Sequence, residues 1–209
     1  MNNTTVVIKT IGRKTLKAAV DSAKREGFKV IVVSDGVKCH QAGANQFVKL
    51  GKKWGYYGGM ATNVGAALAS TEYITLLDDD DTFILGAGDI IRNKLTESPE
   101  TDIWIGGVRF NTPVNIINKA TGEVTYSSRD FAIHPEKGLV EGNVAMPTYR
   151  TDIFSKVPFT DNLGEEHQHL SDLAHVIMCN NAGYKVDWFG EALYNVRPHA
   201  QGSTNGGGK

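Results

Sequence analysis

The chain has few of the residues that mark a specialised class. Its two cysteines, Cys39 and Cys179, are too few for a disulfide framework and lack zinc-ligand spacing, so they read as reduced thiols, one of them in a helix core. An excess of one charge is missing too. The 22 Lys and Arg stand against 23 Asp and Glu, which leaves no strong nucleic-acid signature of the kind a basic footprint provides. No run approaches the roughly 18 apolar residues needed to span a bilayer. The opening Met1-Asn2-Asn3-Thr4-Thr5 lacks the basic and apolar regions of a signal peptide, and the expectation is a cytoplasmic protein with no transmembrane segment. Internal repeats and dividing linkers are absent, so residues 1–201 are expected to form one domain with halves at about 5–100 and 101–201. The Gly-, Ser- and Asn-rich residues 202–209 read as a flexible tail.

What the chain does have is four consecutive aspartates, Asp78, Asp79, Asp80 and Asp81, directly after the apolar run Tyr73-Ile74-Thr75-Leu76-Leu77. Side chains of an extended segment alternate, which predicts Asp78 and Asp80 on one face and Asp79 and Asp81 on the other, supporting or solvated. Two converging carboxylates repel unless a positive charge neutralises them, and a hard divalent cation does so through oxygen ligands. A solvated acidic turn is the plain alternative. The apolar strand feeding the cluster weighs against it, because ligands of open α/β sheets collect at the carboxyl ends of strands.

The flanking pattern predicts such a sheet. Thr5 to Thr10 reads as a strand, Lys14 to Glu26 as a helix, Phe28 to Val33 as a buried strand closing on Ser34-Asp35-Gly36, Met60 to Ser70 as a small-residue helix and Asp89 to Leu95 as another. The second half changes character. Strands are predicted at Asp102 to Phe110, Val114 to Asn118, Glu123 to Ser128, Lys185 to Trp188 and Ala192 to Val196, with a hairpin turn at Lys119 to Gly122 and a helix from Glu165 to Ala182.

Several features in a fixed order resemble the inverting, nucleotide-sugar-dependent glycosyltransferases of family 2, from about Val6 to about His199. These are Thr10-Ile11-Gly12-Arg13 after the first strand, Val32-Val33-Ser34-Asp35-Gly36, the helix with Asn63, the DxD-like aspartate run, Gly164-Glu165-Glu166-His167, and Asn195-Val196-Arg197-Pro198-His199. The resemblance implies a GT-A fold: a mixed, mostly parallel central sheet flanked by helices, with a nucleotide-sugar half and a smaller antiparallel acceptor-side lobe. It implies donor contacts from Thr10, Arg13, Asp35, Asn63, Asp78, Asp79 and Arg197, and a Mn²⁺ or Mg²⁺ ion on Asp80, Asp78 and His199. Glu166, or Glu165 with a shifted loop, stands where the family keeps its catalytic base. The donor would be a nucleotide sugar, UDP-linked by preference, and the acceptor any molecule with a free hydroxyl: a glycan, a lipid-linked sugar, a small molecule or a modified macromolecule.

Each residue also has a plainer reading. Asp35 before Gly36 suits a turn cap, Glu165 and Glu166 suit the first turn of any helix, and Arg197 and His199 suit an ordinary surface. His167, His169 and His175 lack metal-site spacing and read as surface or packing residues. A different enzyme class also fits the run, since Asp78-x-Asp80-x-Thr82 matches haloacid-dehalogenase-like phosphatases, with Asp78 as nucleophile and Asp80 as acid. That motif normally ends a domain's first strand, and here two strands precede it. The glycine-rich opening loop of nucleotidylyltransferases is not matched, while a binding module without catalysis remains a further alternative.

Overall fold

The computed structural model describes residues 3–117, 124–131, 145–160 and 171–196. Its first half winds as the periodicity predicts. Strand β1 (Thr4–Thr10), helix α1 (Leu16–Arg25) and strand β2 (Lys29–Ser34) form a parallel crossover unit, and helix α2 (Gly59–Leu68) returns the chain to β4 (Tyr73–Asp78) on the other side of β1. The middles of these strands are apolar on both faces because both faces are covered. Val6, Ile8, Val30 and Val32 pack with Leu16, Ala19 and Val20 of α1, whereas Val7, Ile74 and Leu76 on the opposite face pack with Ala66 of α2. The layers are close: a Cβ on Gly65 of α2 would collide with Val7 Cγ1.

The described residues form a nine-stranded sheet in the order β3 (Gln46–Lys49), β2, β1, β4, β8 (Ala145–Arg150), β6 (Ile103–Ile117), β9 (Val186–Val196), β5 (Thr82–Phe83), with β7 (Val124–Phe131) paired to β6. Four pairings are parallel and four antiparallel, the antiparallel ones all beyond β4. Several of these elements correct the sequence reading. Between Asp35 and α2, where the sequence pattern predicts no strand, lies the edge strand β3 (Gln46–Lys49), which has too few apolar residues to show periodicity and is specified by pairing with β2. Strand β6 (Ile103–Ile117) joins two predicted strands through an irregularity between Arg109 and Val114, and β9 (Val186–Val196) joins two more through Gly190 at φ 79°. The short β5 (Thr82–Phe83), β8 (Ala145–Arg150) and α4 (Ile153–Lys156) were not predicted. Helix α3 (Ala87–Glu97) was expected; β7 (Val124–Phe131) pairs antiparallel to β6 as the predicted hairpin requires, and its turn lies outside the described residues. Helix α5 is described from Ser171 to Asn181. No helix among the described residues is long and apolar enough to cross a membrane.

Candidate functional site

The carboxyl ends of β1, β2 and β4 meet at one edge of the sheet, which brings Thr10, Asp35 and the aspartate run together. Register divides the run. Lys9 of β1 lies opposite Asp78 of β4, so the two side chains share a face, and Lys9 Nζ sits 3.3 Å from Asp78 Oδ1. Thr10 and Asp79 share the other face. Thr10 Oγ1 donates to Asp79 Oδ2 at 2.5 Å, the Ile11 N–H donates to the same oxygen at 3.3 Å, and Arg13 Nη1 bonds Asp79 Oδ1.

Alternation ends there, because β4 stops at Asp78. A turn follows, in which the Asp81 N–H donates to the Asp78 carbonyl at 3.2 Å, and Asp81 folds back to the side of Asp78. Asp78, Asp80 and Asp81 therefore offer one oxygen each within 4.8 Å of one another. The strand pattern had put Asp81 with Asp79 as supporting or solvated residues. Both are buried, Asp79 at 0% exposure, and Asp81 belongs with the cluster. Three carboxylate oxygens at this spacing suit a hard divalent cation, and no softer donor is needed.

Two cations border the acids. Arg13 Nε lies 3.6 Å from Asp80 Oδ2, and its proton affinity is raised because Asp79 and Asp80 outweigh the opposing effect of burial. Lys9 is likewise held more firmly protonated: burial opposes its charge, but Asp172 and Asp78 more than offset it. Asp172, in the first turn of α5, stands 3.7 Å from Lys9 Nζ. Its carboxyl is pushed up by burial and by Asp78, with Lys9 opposing. Sequence reasoning passed over Asp172. Its signal was an acid set between Leu170 and Leu173, two apolar residues of the predicted helix.

The remaining predicted residues fall into two groups. Asp35 is buried at the end of β2, where its Oδ1 accepts the Trp54 N–H at 2.7 Å and its Oδ2 the Gly55 N–H at 2.8 Å, so the carboxylate pins the loop leading to α2. Asn63 faces Phe159: its Nδ2 donates to the Phe159 carbonyl at 3.0 Å and its Oδ1 accepts the Phe159 N–H at 2.9 Å. Glu165, Glu166, Arg197 and His199 lie outside the described residues. His175 is a core residue, stacked on Phe159 with ring centroids 4.0 Å apart and bonded through Nε2 to the Val157 carbonyl at 2.8 Å. Cys179 beside it is buried, and burial pushes its thiol up to about 12, which makes it unreactive.

A hollow of about 440 Å³ lies at the opposite, amino end of β1 and β4, lined by Asn3, Glu72 and Arg92 among others, and holds none of the clustered aspartates.

No protein-family model matches the sequence, and no curated protein does. Solved structures are similar. Residues 1–349 of S. aureus TarS superpose with a TM-score of 0.67 at 15% identity, covering 94% of this chain and 60% of that one. The same protein in complex with UDP-GlcNAc gives 0.67 at 15% identity, covering 97% and 60%. CMP:2-keto-3-deoxy-manno-octonic acid synthetase complexed with CTP gives 0.55 at 15% identity, covering 96% and 92%. The chain thus spans about 60% of the length of the TarS structures. At such identity the likeness establishes the fold alone, a mixed α/β architecture shared with these structures.

Proposed function

We propose that the chain is a metal-dependent glycosyltransferase of the family 2 kind, moving one sugar from a nucleoside-diphosphate donor to an acceptor hydroxyl with inversion. The observation that carries this reading is the Asp78, Asp80 and Asp81 cluster at the carboxyl end of β4, in a fold shared with a protein whose structure holds UDP-GlcNAc. UDP is the proposed nucleotide, and residues 1–201 form the proposed domain, with the acceptor side in its second half.

Departure of a nucleoside diphosphate builds negative charge on the leaving oxygen, and catalysis requires that charge to be met as it develops. A Mn²⁺ or Mg²⁺ ion held by Asp78, Asp80 and Asp81 would supply it. Arg13 sits beside Asp80 and, with Asp79, keeps the first loop against the cluster. Arg197 is the proposed further donor to the diphosphate, and His199 the proposed additional ligand. Asp35 is the proposed contact to the nucleotide's base, beside the loop that it pins. Asn63 holds Phe159, and through it the chain that leads to Glu165 and Glu166.

An inverting displacement needs one carboxylate to accept the acceptor's proton. Glu166, with Glu165 beside it, is the proposed base on the resemblance. Asp172 is a second candidate on a specific observation: it faces Asp78 across Lys9, and its Oδ1 is buried with no hydrogen-bond partner among the described residues.

The test is a thermal-shift screen of UDP, GDP, dTDP and CDP with and without Mn²⁺, since a ligand that binds the native state raises the melting temperature. UDP should stabilise the protein only with metal present, and UDP-sugars should then release UDP when acceptors are supplied. Absence of any metal-dependent nucleotide shift, together with hydrolysis of p-nitrophenyl phosphate, would sink this reading in favour of a phosphatase. Pyrophosphate release from CTP would instead favour nucleotidyl transfer, as in the synthetase of similar fold.

A further inference from the structure

A lysine one residue from the end of a strand buried on both faces is out of place unless its charge is used. Lys9 follows Val6, Val7 and Ile8, all of them buried, and its ammonium lies between two acids on different elements, Asp78 of β4 at 3.3 Å and Asp172 of α5 at 3.7 Å. Neighbouring backbone confines its stem: Gly58 takes φ 83° beside it, and a Cβ there would lie 2.6 Å from Lys9 Cδ. The link to Asp172 is incomplete, because 3.7 Å exceeds a hydrogen bond and the buried Oδ1 has no hydrogen-bond partner among the described residues.

We propose that Lys9 is a positioning residue that couples the acidic cluster to α5, its ammonium being shared between Asp78 and Asp172 until a divalent cation in the cluster competes for Asp78. This rests on the glycosyltransferase reading and concerns the same site. With a cation held by Asp78, Asp80 and Asp81, the Lys9 ammonium would be repelled from Asp78 and would shift its bond to Asp172, 3.7 Å away. The first turn of α5 is thereby drawn to the cluster. Metal occupancy would in this way be transmitted to Asp172 in the first turn of α5, the second candidate for the base.

The test uses the full chain, with Mn²⁺ alone as the probe for binding and a UDP-sugar for turnover. Lys9→Met keeps an aliphatic stem beside Gly58 and removes the charge. Calorimetry should show Mn²⁺ binding about tenfold tighter, because a repelling charge and a competitor for Asp78 are gone. Turnover should move the other way, with kcat falling about tenfold at little-changed donor KM, and Lys9→Arg should restore kcat because it can still bridge two carboxylates. Asp172→Asn, which leaves Lys9 wholly to Asp78, should weaken Mn²⁺ binding about threefold. Packing alone would instead lower stability and Mn²⁺ affinity together in Lys9→Met. Unchanged or weaker Mn²⁺ binding by Lys9→Met, or no restoration of kcat by Lys9→Arg, overturns the coupling while leaving the glycosyltransferase reading intact. If Lys9→Met does not fold, tighter or unchanged Mn²⁺ binding by Asp172→Asn overturns it equally. A wild-type chain that binds neither Mn²⁺ nor UDP overturns both.

Discussion

Asn63 and Phe159, 96 residues apart, pair as two strand residues would: the side-chain amide of one accepts the backbone N–H of the other at 2.9 Å and donates to its carbonyl at 3.0 Å. The pair fastens α2 to the chain after α4, close to where α2 packs against β1. Asn63→Ala leaves both Phe159 backbone groups short of partners, each costing about 1–3 kcal/mol if it stays buried. Urea denaturation should show a loss of that order, and UDP-sugar turnover should fall with it.

Asp79 is spent within the fold, on Thr10, the Ile11 amide and Arg13. Asp79→Asn removes the carboxylate that Arg13 bonds directly and should lower stability by about 3 kcal/mol. Equilibrium unfolding of the single variants and of the Asp79→Asn, Arg13→Gln double variant checks it. The double variant should be less destabilised than the two losses added together.

Asp80→Ala removes one of the three clustered oxygens and the 3.6 Å contact to Arg13, but leaves the Asp79 bonds to Thr10, Ile11 and Arg13 in place. The melting temperature without ligand should stay near the wild-type value, while the extra stabilisation by UDP with Mn²⁺ disappears. A UDP shift that survives unchanged would remove Asp80 from the metal site.

Glu166→Gln should retain Mn²⁺-dependent UDP binding and lose transfer by a factor of about 10²–10⁴, the usual contribution of a general base. Single-turnover assays separate the two quantities. Retained transfer moves the base to Glu165 or Asp172, and the loss should then appear in Glu165→Gln or Asp172→Asn.

His175 is buried, and burial lowers its pKa to about 4 against the bond to the Val157 carbonyl. That carbonyl only accepts, so Nε2 carries the proton and Nδ1 accepts from the Tyr149 hydroxyl, 3.2 Å away. The folded pKa lies below the unfolded value of 6.5, so the stability tied to the neutral ring is complete above pH 6.5 and is lost as pH falls towards 4. The full span is worth roughly 3 kcal/mol. Urea midpoints between pH 7.5 and 5 should fall in the wild type and fall less in His175→Gln.

In the first half β1, α1, β2, α2 and β4 were legible because each of these elements carries its own pattern. Val6, Val7 and Ile8 are apolar on both faces, as a covered parallel strand must be, and α1 shows Leu16, Ala19, Val20 and Ala23 on one stripe. The aspartate run was legible for a similar reason: an apolar strand that ends in acids marks its own carboxyl end. Strands β3, β5 and β8 were not legible, since their short sequences become strands only by pairing with neighbours distant in the chain.

Within the site, the sequence determined that acids stand at the end of β4 and that Asp35 ends β2, facts of covalent order and strand period. Tertiary structure decided which acids act together. The turn after Asp78 brought Asp81 back to Asp78 and Asp80, the register of β1 against β4 placed Lys9 on Asp78 and Thr10 on Asp79, and the docking of α5 brought Asp172 to Lys9. None of these follows from local pattern, because each depends on where a second element, far away in the chain, comes to rest against the first.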